Sequence, residues 1–415
     1  MRRWILHLRP LWDSSPGTSP DAEEIAARVS LFALAGTLFW STALSELAAG
    51  LFIIIAAARL IRDRGMAFRP RWVSAHALVS LSLLLLALYV VGVLISAAVS
   101  PFSREFETYA RLWHVLLFPA AVILRPPLEI LKRAGGVFAL SGTTAALAAI
   151  LGYFAGTSPH LNALFLGNTT LADMLVIVAV VLFGSMIAPP EFRILPLKSW
   201  HLMLVAVPSI VAVFLSALRG PVGVLIAAIA ALTLVHRPRA LVVQAMALGA
   251  LIMISPLELW MKFAWLAEGH TIDRYVLWKA GLDLLPKIPL FGFGPGSYER
   301  ILPPETWAAF ANRPPASWHN DFLATVLESG WHTAVAYTAC LALLIAGGTV
   351  AWFRRRSAMH GPVAGMLACA LSLLIFFSLL STVVATATLG IVLWTITGLL
   401  ASALSGGDLD EHVPA

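Results

Sequence analysis

The sequence predicts an all-α polytopic membrane protein with about 12 transmembrane helices. Hydrophobic residues make up 59% of the 415 residues and charged residues only 12%, a balance that a water-soluble domain of this size cannot carry on its surface. Apolar stretches of roughly 20 residues, the length that a helix needs to cross the hydrocarbon core, recur along the chain. Because the basic residues fall between these stretches, the net charge of +6 indicates membrane topology and not nucleic-acid binding.

The predicted spans follow the apolar segments closely. We interpret residues 25–61 as a helical hairpin, because a single helix of that length is too long for one crossing. The twelve segments are 25–41, 44–61, 76–98, 110–125, 134–155, 170–188, 201–217, 220–236, 239–256, 322–349, 362–380 and 382–402.

The gaps between the segments differ in charge from one side of the membrane to the other. Gaps on one side hold 18 Arg and Lys residues, and short gaps on the other side hold only Arg104, Arg111 and Arg219. The positive-inside rule therefore predicts an even number of spans with both termini in the cytoplasm. The 18 residues are Arg2, Arg3, Arg9, Arg59, Arg62, Arg64, Arg69, Arg71, Arg125, Lys132, Arg133, Arg193, Lys198, Arg237, Arg239, Arg354, Arg355 and Arg356.

One gap is much longer than the others and divides the chain. Residues 1–256 are predicted to form transmembrane helices 1–9, and residues 322–402 helices 10–12, before a cytoplasmic tail at 403–415. Between them, residues 257–321 form a loop on the non-cytoplasmic side, rich in Trp, Pro and Gly, with a helix expected over 271–285. Loops of this length in compact proteins are usually functional.

Two arginines on the side of the long loop are candidate anion-binding residues. Arg219 lies in ALRGP, a tight turn between two spans, where a cation calls for an anionic partner; the alternative is an arginine that reaches lipid phosphates. For Arg274 the alternative is a solvated position or an ion pair with Asp273. A guanidinium binds phosphate oxygens through two parallel hydrogen bonds, so two arginines from different segments indicate a diphosphate site.

A histidine at the end of the loop is the candidate general base. His319 lies in SWHNDF, where the loop meets the tenth predicted span. An imidazole titrates near neutral pH and can accept a proton from a hydroxyl group. The alternative is an interfacial histidine bonded to a backbone carbonyl, but its position on the side of both arginines favours a functional role. Asn320, Asp321 and Tyr298 are secondary candidates.

Other patterns carry less weight. GFGPG at 292–296 lacks the flanking strand and helix of a nucleotide loop, and the DxD pattern of Asp408 and Asp410 is explained by chance in an acidic tail. Cys340 and Cys369 lie inside apolar segments, as small buried hydrophobes do. We predict no metal site and no cofactor. The acidic residues that remain as alternative bases are Asp273, Glu299, Glu305 and Asp321.

Three segments together resemble the O-antigen ligases, within the wider family that includes O-antigen polymerases and protein O-oligosaccharyltransferases. They are LRG at 218–220, the run from Arg274 through PLFGFGPGSY to residue 298, and HNDFLATVLESG at 319–330. The ligase motif is a His followed by Asn, Ser or Gln, nine residues, Gly, two residues and Gly. His319, Asn320 and Gly330 fit this motif, and Thr333 stands in place of the second Gly.

The resemblance implies a GT-C-type membrane glycosyltransferase of the bacterial inner membrane, with a catalytic periplasmic loop between spans 9 and 10. Such enzymes transfer O-antigen polysaccharide from undecaprenyl diphosphate to a sugar hydroxyl of lipid A-core in lipopolysaccharide biosynthesis. The resemblance places Arg219 and Arg274 at the diphosphate and His319 as the base of an inverting, metal-independent transfer. The implied partners are the lipid-linked donor, the lipid A-core acceptor and membrane lipids.

Two alternative functions stay open at this point. An O-antigen polymerase or protein O-oligosaccharyltransferase uses the same kind of donor, so donor-site residues do not distinguish it from a ligase. A lipid-linked oligosaccharide flippase also has about twelve spans, but transporters tend to show repeated halves. We find no such halves, and the charge concentrated on one side with a long loop favours an enzyme.

Overall fold

The computed structural model describes residues 22–62, 77–102, 112–157, 166–236, 272–304, 306, 317–354, 360–384 and 386–406. All regular elements within these ranges are helices. They are α1 (Ala22–Thr37), α2 (Thr42–Arg62), α3 (Ala77–Val99), α4 (Leu117–Leu124), α5 (Leu128–Phe154), α6 (Asn168–Ile187), α7 (Ser199–Leu215), α8 (Arg219–His236), α9 (Ile272–Leu284), α10 (Tyr298–Ile301), α11 (Asp321–Ser329), α12 (Trp331–Arg354), α13 (His360–Leu380) and α14 (Ala387–Gly406). Short 3-10 turns cover Trp113–Leu116, Pro190–Phe192 and Leu285–Lys287.

Many of these helices are suited to the hydrocarbon core of a bilayer. Seven helices in the described ranges, α2, α3, α5, α6, α12, α13 and α14, are long and apolar enough to cross a membrane. Shorter apolar helices cover Trp113–Leu124, Ser199–Leu215 and Arg219–Leu234. The prediction of an all-helical polytopic membrane protein is confirmed. The count of about 12 spans stays a prediction, and the segment 239–256 lies outside the described residues.

The N-terminal hairpin has the form that the sequence predicts. α1 ends at Thr37, whose carbonyl accepts hydrogen bonds from the backbone N–H of Trp40 at 2.9 Å and of Ser41 at 3.0 Å. α2 begins at Thr42 and packs against α1. The Trp40 indole donates to Ser141 Oγ at 3.0 Å, so the turn is also fixed to α5.

Helix α6 lies in the middle of the helices and is enclosed on all sides. Every side chain from Leu171 to Val180 is at most 2% exposed. α6 packs against α5, α7, α8 and α13. A helix that is apolar all round is suited to such a position, because it has no face that needs water. One residue in this run, Asp173, is ionisable.

The predicted tenth span, 322–349, is divided in the structure. Gly330 adopts φ +84° and separates α11 from α12, so the long apolar helix begins at Trp331. A Cβ atom on residue 330 would lie 2.3 Å from the carbonyl oxygen of Leu290, too close for any side chain. Hydropathy alone did not indicate the break, because both sides of Gly330 are apolar.

The loop residues 272–304 pack on α11 and form a small core of their own. Its buried members are Leu277, Ala280, Leu302, Trp318 and Leu327. On α9 the side chains of Tyr275 and Leu282 are exposed, at 65% and 56%.

Residues 292–296, here called the glycine turn, cap the C-terminal end of α11. The backbone N–H of Phe293 donates to the Leu327 carbonyl at 2.8 Å, and that of Gly294 donates to the Glu328 carbonyl at 2.9 Å. The last carbonyls of a helix have no partner within the helix, so these bonds satisfy groups that burial would otherwise penalise. Ser96 Oγ of α3 also donates to the Glu328 carbonyl, at 2.6 Å. The end of α11 is therefore fixed both to the loop and to a span.

Thr333 of α12 stands in place of the second glycine of the ligase motif, and it is fully buried where α12 packs against α3. A Cβ atom on Gly92 of α3 would lie 2.1 Å from Thr333 Oγ1. The two helices approach each other here because residue 92 has no side chain. The small residue that a close contact requires is therefore present on α3 instead of α12.

Replacing Gly330 with alanine should destabilise the protein. The substitution puts a Cβ atom at positive φ and against the Leu290 carbonyl, and we expect a cost of about 1–3 kcal/mol. The midpoint of thermal unfolding of the purified protein in detergent measures this effect. Gly50→Ala is the matched control, because a Cβ atom at residue 50 of α2 meets nothing within 4 Å. Equal midpoints for the two variants would contradict the account of the break.

Candidate active site

His319 lies immediately before α11 in an unusual backbone conformation. Its φ is +50°, in the left-handed region that residues other than glycine seldom adopt. Its backbone N–H donates to Ser317 Oγ at 3.3 Å, and its side chain is half-buried. Strained backbone of this kind persists only where the surrounding structure imposes it, and it clusters at functional sites.

Asn320 and Asp321 hold the turn that carries His319. Asn320 caps α11 by accepting a hydrogen bond from the Leu323 N–H at 2.9 Å, and its amide donates to the Leu379 carbonyl at 3.2 Å. Asp321 is 3% exposed, and its Oδ2 accepts from the backbone N–H groups of Val383 and Val384 at 2.9 and 3.1 Å. Both side chains thus attach the start of α11 to the end of α13 and the connection that follows it. The Asp321 carboxyl group therefore faces backbone amides and not solvent.

Arg219 is the first residue of α8 and follows a strained turn. Ala217 in this turn adopts φ +55°, and Asn168 at the start of α6 donates its side-chain amide to the Ser216 carbonyl at 3.2 Å. The N-terminal end of a helix carries a partial positive charge, which disfavours a cation there and favours a bound anion. An arginine at this position therefore adds to an electrostatic field that already attracts negative charge.

Arg274 lies in the first turns of α9, on the segment that packs against α11. Trp278, one turn further along α9, donates its indole N–H to the carbonyl of Trp318 at 3.0 Å. Since Trp318 immediately precedes His319, this bond fixes α9 next to the histidine. The Arg274 residue is exposed. Burial lowers the pKa of its guanidinium, Asp173 raises the pKa and Arg219 lowers it.

Electrostatic interactions connect the three principal predicted residues through Arg274. Arg274 is close enough to Arg219 and to His319 to act electrostatically on both positions. For His319, burial lowers the imidazole pKa, and the positive charge of Arg274 lowers it further. A lowered pKa keeps the imidazole neutral at neutral pH, which is the form that accepts a proton.

Asp173 is a buried ionisable residue that the sequence analysis did not single out. It lies in the enclosed part of α6, is 2% exposed, and its charge acts on Arg274. It lies inside the apolar segment 170–188, which has the composition of an ordinary membrane span. The signal in the sequence is that Asp173 is ionisable. An ionisable side chain within a membrane span costs free energy and usually has a function.

Of the remaining predicted residues, Tyr298 and Glu299 are described and several others are not. Tyr298 is half-buried against the small loop core, and its hydroxyl donates to Glu299 Oε1 at 3.3 Å. The side chains of Asp273 and Glu305, and residues 408 and 410, lie outside what the structure describes. Within the described part of the chain, no group of three or more His, Cys, Asp and Glu residues is arranged to hold a metal ion.

A second carboxyl group, which is half-buried, lies at the other end of α11. Glu328 Oε2 accepts the backbone N–H of Gly296 in the glycine turn at 3.0 Å. Burial raises the pKa of Glu328 to about 7, the Gly296 hydrogen bond lowers it, and Asp321 raises it. Burial likewise raises the pKa of Asp321 to about 6, against the hydrogen bonds from Val384 and Val383.

The fold and the site together define a polytopic helical membrane protein with a cationic group of residues beside a neutral histidine. Residues 204–338 match the sequence model of a family described as O-antigen ligase. The match runs from α7 into α12, contains Arg219, Arg274 and His319, and does not extend to residues 1–203 or 339–415. No curated protein matches the chain. The match confirms the resemblance over this segment and supports a ligase- or polymerase-type function in glycan assembly.

The two raised carboxyl pKa values predict that stability falls as the pH rises. In the unfolded chain these carboxyl groups ionise near pH 4, whereas in the folded chain they stay protonated to about 6 and 7. Their stabilising contribution is therefore complete below about pH 4 and is lost as the pH rises to about 7. Glu328→Gln keeps the acceptor for Gly296 and removes one titration, so its unfolding midpoint should depend less on pH.

Thermal unfolding between about pH 5 and pH 8 measures this difference. Glu191→Gln is the control, because it makes the same charge change at an exposed residue outside α11. If Glu328→Gln and the unsubstituted protein lose the same stability across this range, the assignment of the titration to Glu328 is wrong.

Proposed function

We propose that the chain is an O-antigen ligase that transfers polysaccharide from undecaprenyl diphosphate to a sugar hydroxyl of lipid A-core. The observation that carries the proposal is the electrostatic interaction of Arg274 with both Arg219 and His319. These residues come from three separate elements, and all three lie in the O-antigen ligase segment.

The two arginines are suited to the diphosphate of the donor. Two cations held near each other repel, so a bound group with two or more negative charges lowers the electrostatic energy of the site. Guanidinium groups match phosphate oxygens through paired hydrogen bonds. When the glycosidic bond to the diphosphate breaks, the leaving oxygen gains negative charge, and fixed cations in a partly desolvated site stabilise it.

The neutral histidine supplies the base for the acceptor. In the proposed step, the acceptor hydroxyl oxygen attacks the anomeric carbon and forms the new glycosidic bond. The bond from that carbon to the diphosphate oxygen breaks, and its electron pair stays on undecaprenyl diphosphate. His319 takes the hydroxyl proton and later releases it to water. A single displacement inverts the configuration at the anomeric carbon.

The charge distribution of the sequence supports a periplasmic site in a bacterial inner membrane. The gaps rich in Arg and Lys define the cytoplasmic side, and the long loop with the α7–α8 turn falls on the opposite side. A diphosphate donor already carries its leaving group, so the reaction needs no nucleotide on that side. A GT-C-type fold with about 12 spans is part of this proposal.

Incubating the purified protein with a defined lipid-linked donor tests the function directly. We expect transfer to lipid A-core and no extension of a second lipid-linked repeat, whereas the reverse pattern would identify a polymerase. His319→Ala should lose activity by about 100- to 10,000-fold, because the base is removed. The new glycosidic bond is measured by mass spectrometry of the acceptor.

His332→Ala is the matched control for the histidine, because His332 is exposed and lies in the same segment at the start of α12. We expect it to keep the rate of the unsubstituted protein. Full activity of a folded His319→Ala protein would exclude the histidine as base. Movement of labelled donor across proteoliposomes without a new glycosidic bond would favour a flippase instead.

Replacing an arginine with lysine separates bidentate binding from charge alone. Arg219→Lys and Arg274→Lys keep one positive charge but lose the planar pair of donors, so at least one should lose about tenfold or more in turnover. Arg300→Lys is the control, because Arg300 is an exposed loop arginine that donates to the Pro101 carbonyl. Undiminished turnover in both test variants would contradict a bidentate diphosphate clamp.

A further inference from the structure

A charged cavity, here called the arginine cavity, lies where the start of α1, the end of α2 and the α4–α5 turn meet. It has a volume of about 230 Å³, and the charged residues that line it are four arginines and two glutamates. This lining therefore carries two more positive than negative charges. The six residues are Glu23, Glu24, Arg28, Arg59, Arg62 and Arg125.

The arginine cavity is predicted to lie on the side of the membrane opposite the candidate active site. Arg59, Arg62 and Arg125 are among the basic residues of the gaps that the positive-inside rule places in the cytoplasm. Arg219 belongs to a gap on the other side. The proposed transfer therefore gives the arginine cavity no role.

Arg28 lines the arginine cavity from α1 and is buried. Its Nη2 atom forms an ion pair with Glu24, one turn earlier on the same helix. Its Nε atom is buried and has no hydrogen-bond partner among the described residues. A buried donor of a charged group costs free energy when it lacks an acceptor. An oxygen atom of an anion in the cavity is a suitable acceptor.

The other arginines reach the cavity from α2 and from the α4–α5 turn. Arg59 Nη1 donates to the carbonyl of Leu124, the residue before Arg125, at 3.2 Å. Arg62 Nη1 lies 2.9 Å from Glu23 Oε2, so the end of α2 is joined to the start of α1. Because arginines stay charged at neutral pH and like charges repel, a bound anion lowers the electrostatic energy of this group.

The apolar part of the lining leads away from the charged part along α1. Leu31 lines the arginine cavity and also lines a second cavity, which is almost entirely apolar and has a volume of about 120 Å³. Leu34, Ala35 and Leu38 continue the lining of this second cavity further along α1. A ligand with a charged group and a hydrocarbon chain matches both cavities, whereas free phosphate matches only the charged one.

We propose that the arginine cavity binds the phosphate group of an anionic phospholipid, whose acyl chain lies along α1 in the second cavity. Guanidinium groups bind phosphate oxygens through paired hydrogen bonds. Basic pockets between membrane-spanning helices on the cytoplasmic side are suited to anionic lipid head groups. The bound lipid joins α1, α2 and the α4–α5 turn. The inference does not depend on the proposed transfer, because it concerns different residues and is tested by binding.

The test compares ligands on the purified full chain in a neutral detergent, after bound lipid has been removed. Phosphatidylglycerol should raise the midpoint of thermal unfolding, and native mass spectrometry should show it bound at least about fivefold more tightly than phosphatidylcholine with the same acyl chains. Inorganic phosphate at the same concentration should not raise the midpoint, because it lacks the acyl chain. Equal binding of the two lipids, or equal protection by inorganic phosphate, would overturn the proposal.

Substitutions in the arginine cavity locate the bound lipid. Arg59→Gln and Arg125→Gln should each weaken phosphatidylglycerol binding by about fivefold or more and leave phosphatidylcholine binding unchanged. Arg62→Gln tests the same loss of charge at an exposed cavity residue, whose removal leaves the packing of the helices intact. It should weaken binding in the same direction, and it keeps the test decisive if a variant of a more buried arginine does not fold.

Arg354→Gln is the matched control for these variants. Arg354 is exposed at the end of α12, lies on the same predicted side of the membrane and does not line the arginine cavity. The control should keep the phosphatidylglycerol affinity of the unsubstituted protein. If it weakens binding as much as the cavity variants do, the lipid responds to surface charge in general and the proposed site is wrong.

Discussion

The Arg274 guanidinium lies within electrostatic reach of both Arg219 and His319, although the like charges of the arginines repel. The fold opposes this repulsion by fixing each residue from a different element. Arg219 begins α8 after a strained turn tied to α6, and Arg274 belongs to a helix bonded to Trp318. His319 follows Trp318 directly and begins the turn into α11. The site is thus assembled by contacts between segments and not by any one motif.

Helix α11 connects the site to the membrane-spanning helices. Its first turn is bonded to the α13–α14 connection through Asp321, and its last carbonyls accept bonds from the glycine turn and from Ser96 of α3. The break at Gly330 makes this possible, because a helix continuous with α12 would leave no free C-terminal end for the glycine turn to cap. The His319 backbone conformation is maintained by a short helix that is fixed at both ends.

Hydropathy and charge patterns predicted most of the helices, because burial in lipid is a property of composition over many residues. The motif residues Arg219, Arg274 and His319 were found because cations and a histidine stand out on the side of the long loop. The break at Gly330 and the contact of Gly92 with Thr333 depend on the space around single atoms, which no window of sequence reports. Asp173 was missed because one carboxylate barely changes the mean hydropathy of a span.

The charged groups around the candidate site differ in how far they are buried. Asp173 is enclosed within the helices, whereas Arg274 is exposed. The positive charges of Arg219 and Arg274 create a field that favours the binding of an anion. The same field lowers the proton affinity of His319, since Arg274 lies next to it. Arg274 thereby meets two requirements of the proposed transfer. It binds the donor diphosphate, and it keeps the base for the acceptor neutral.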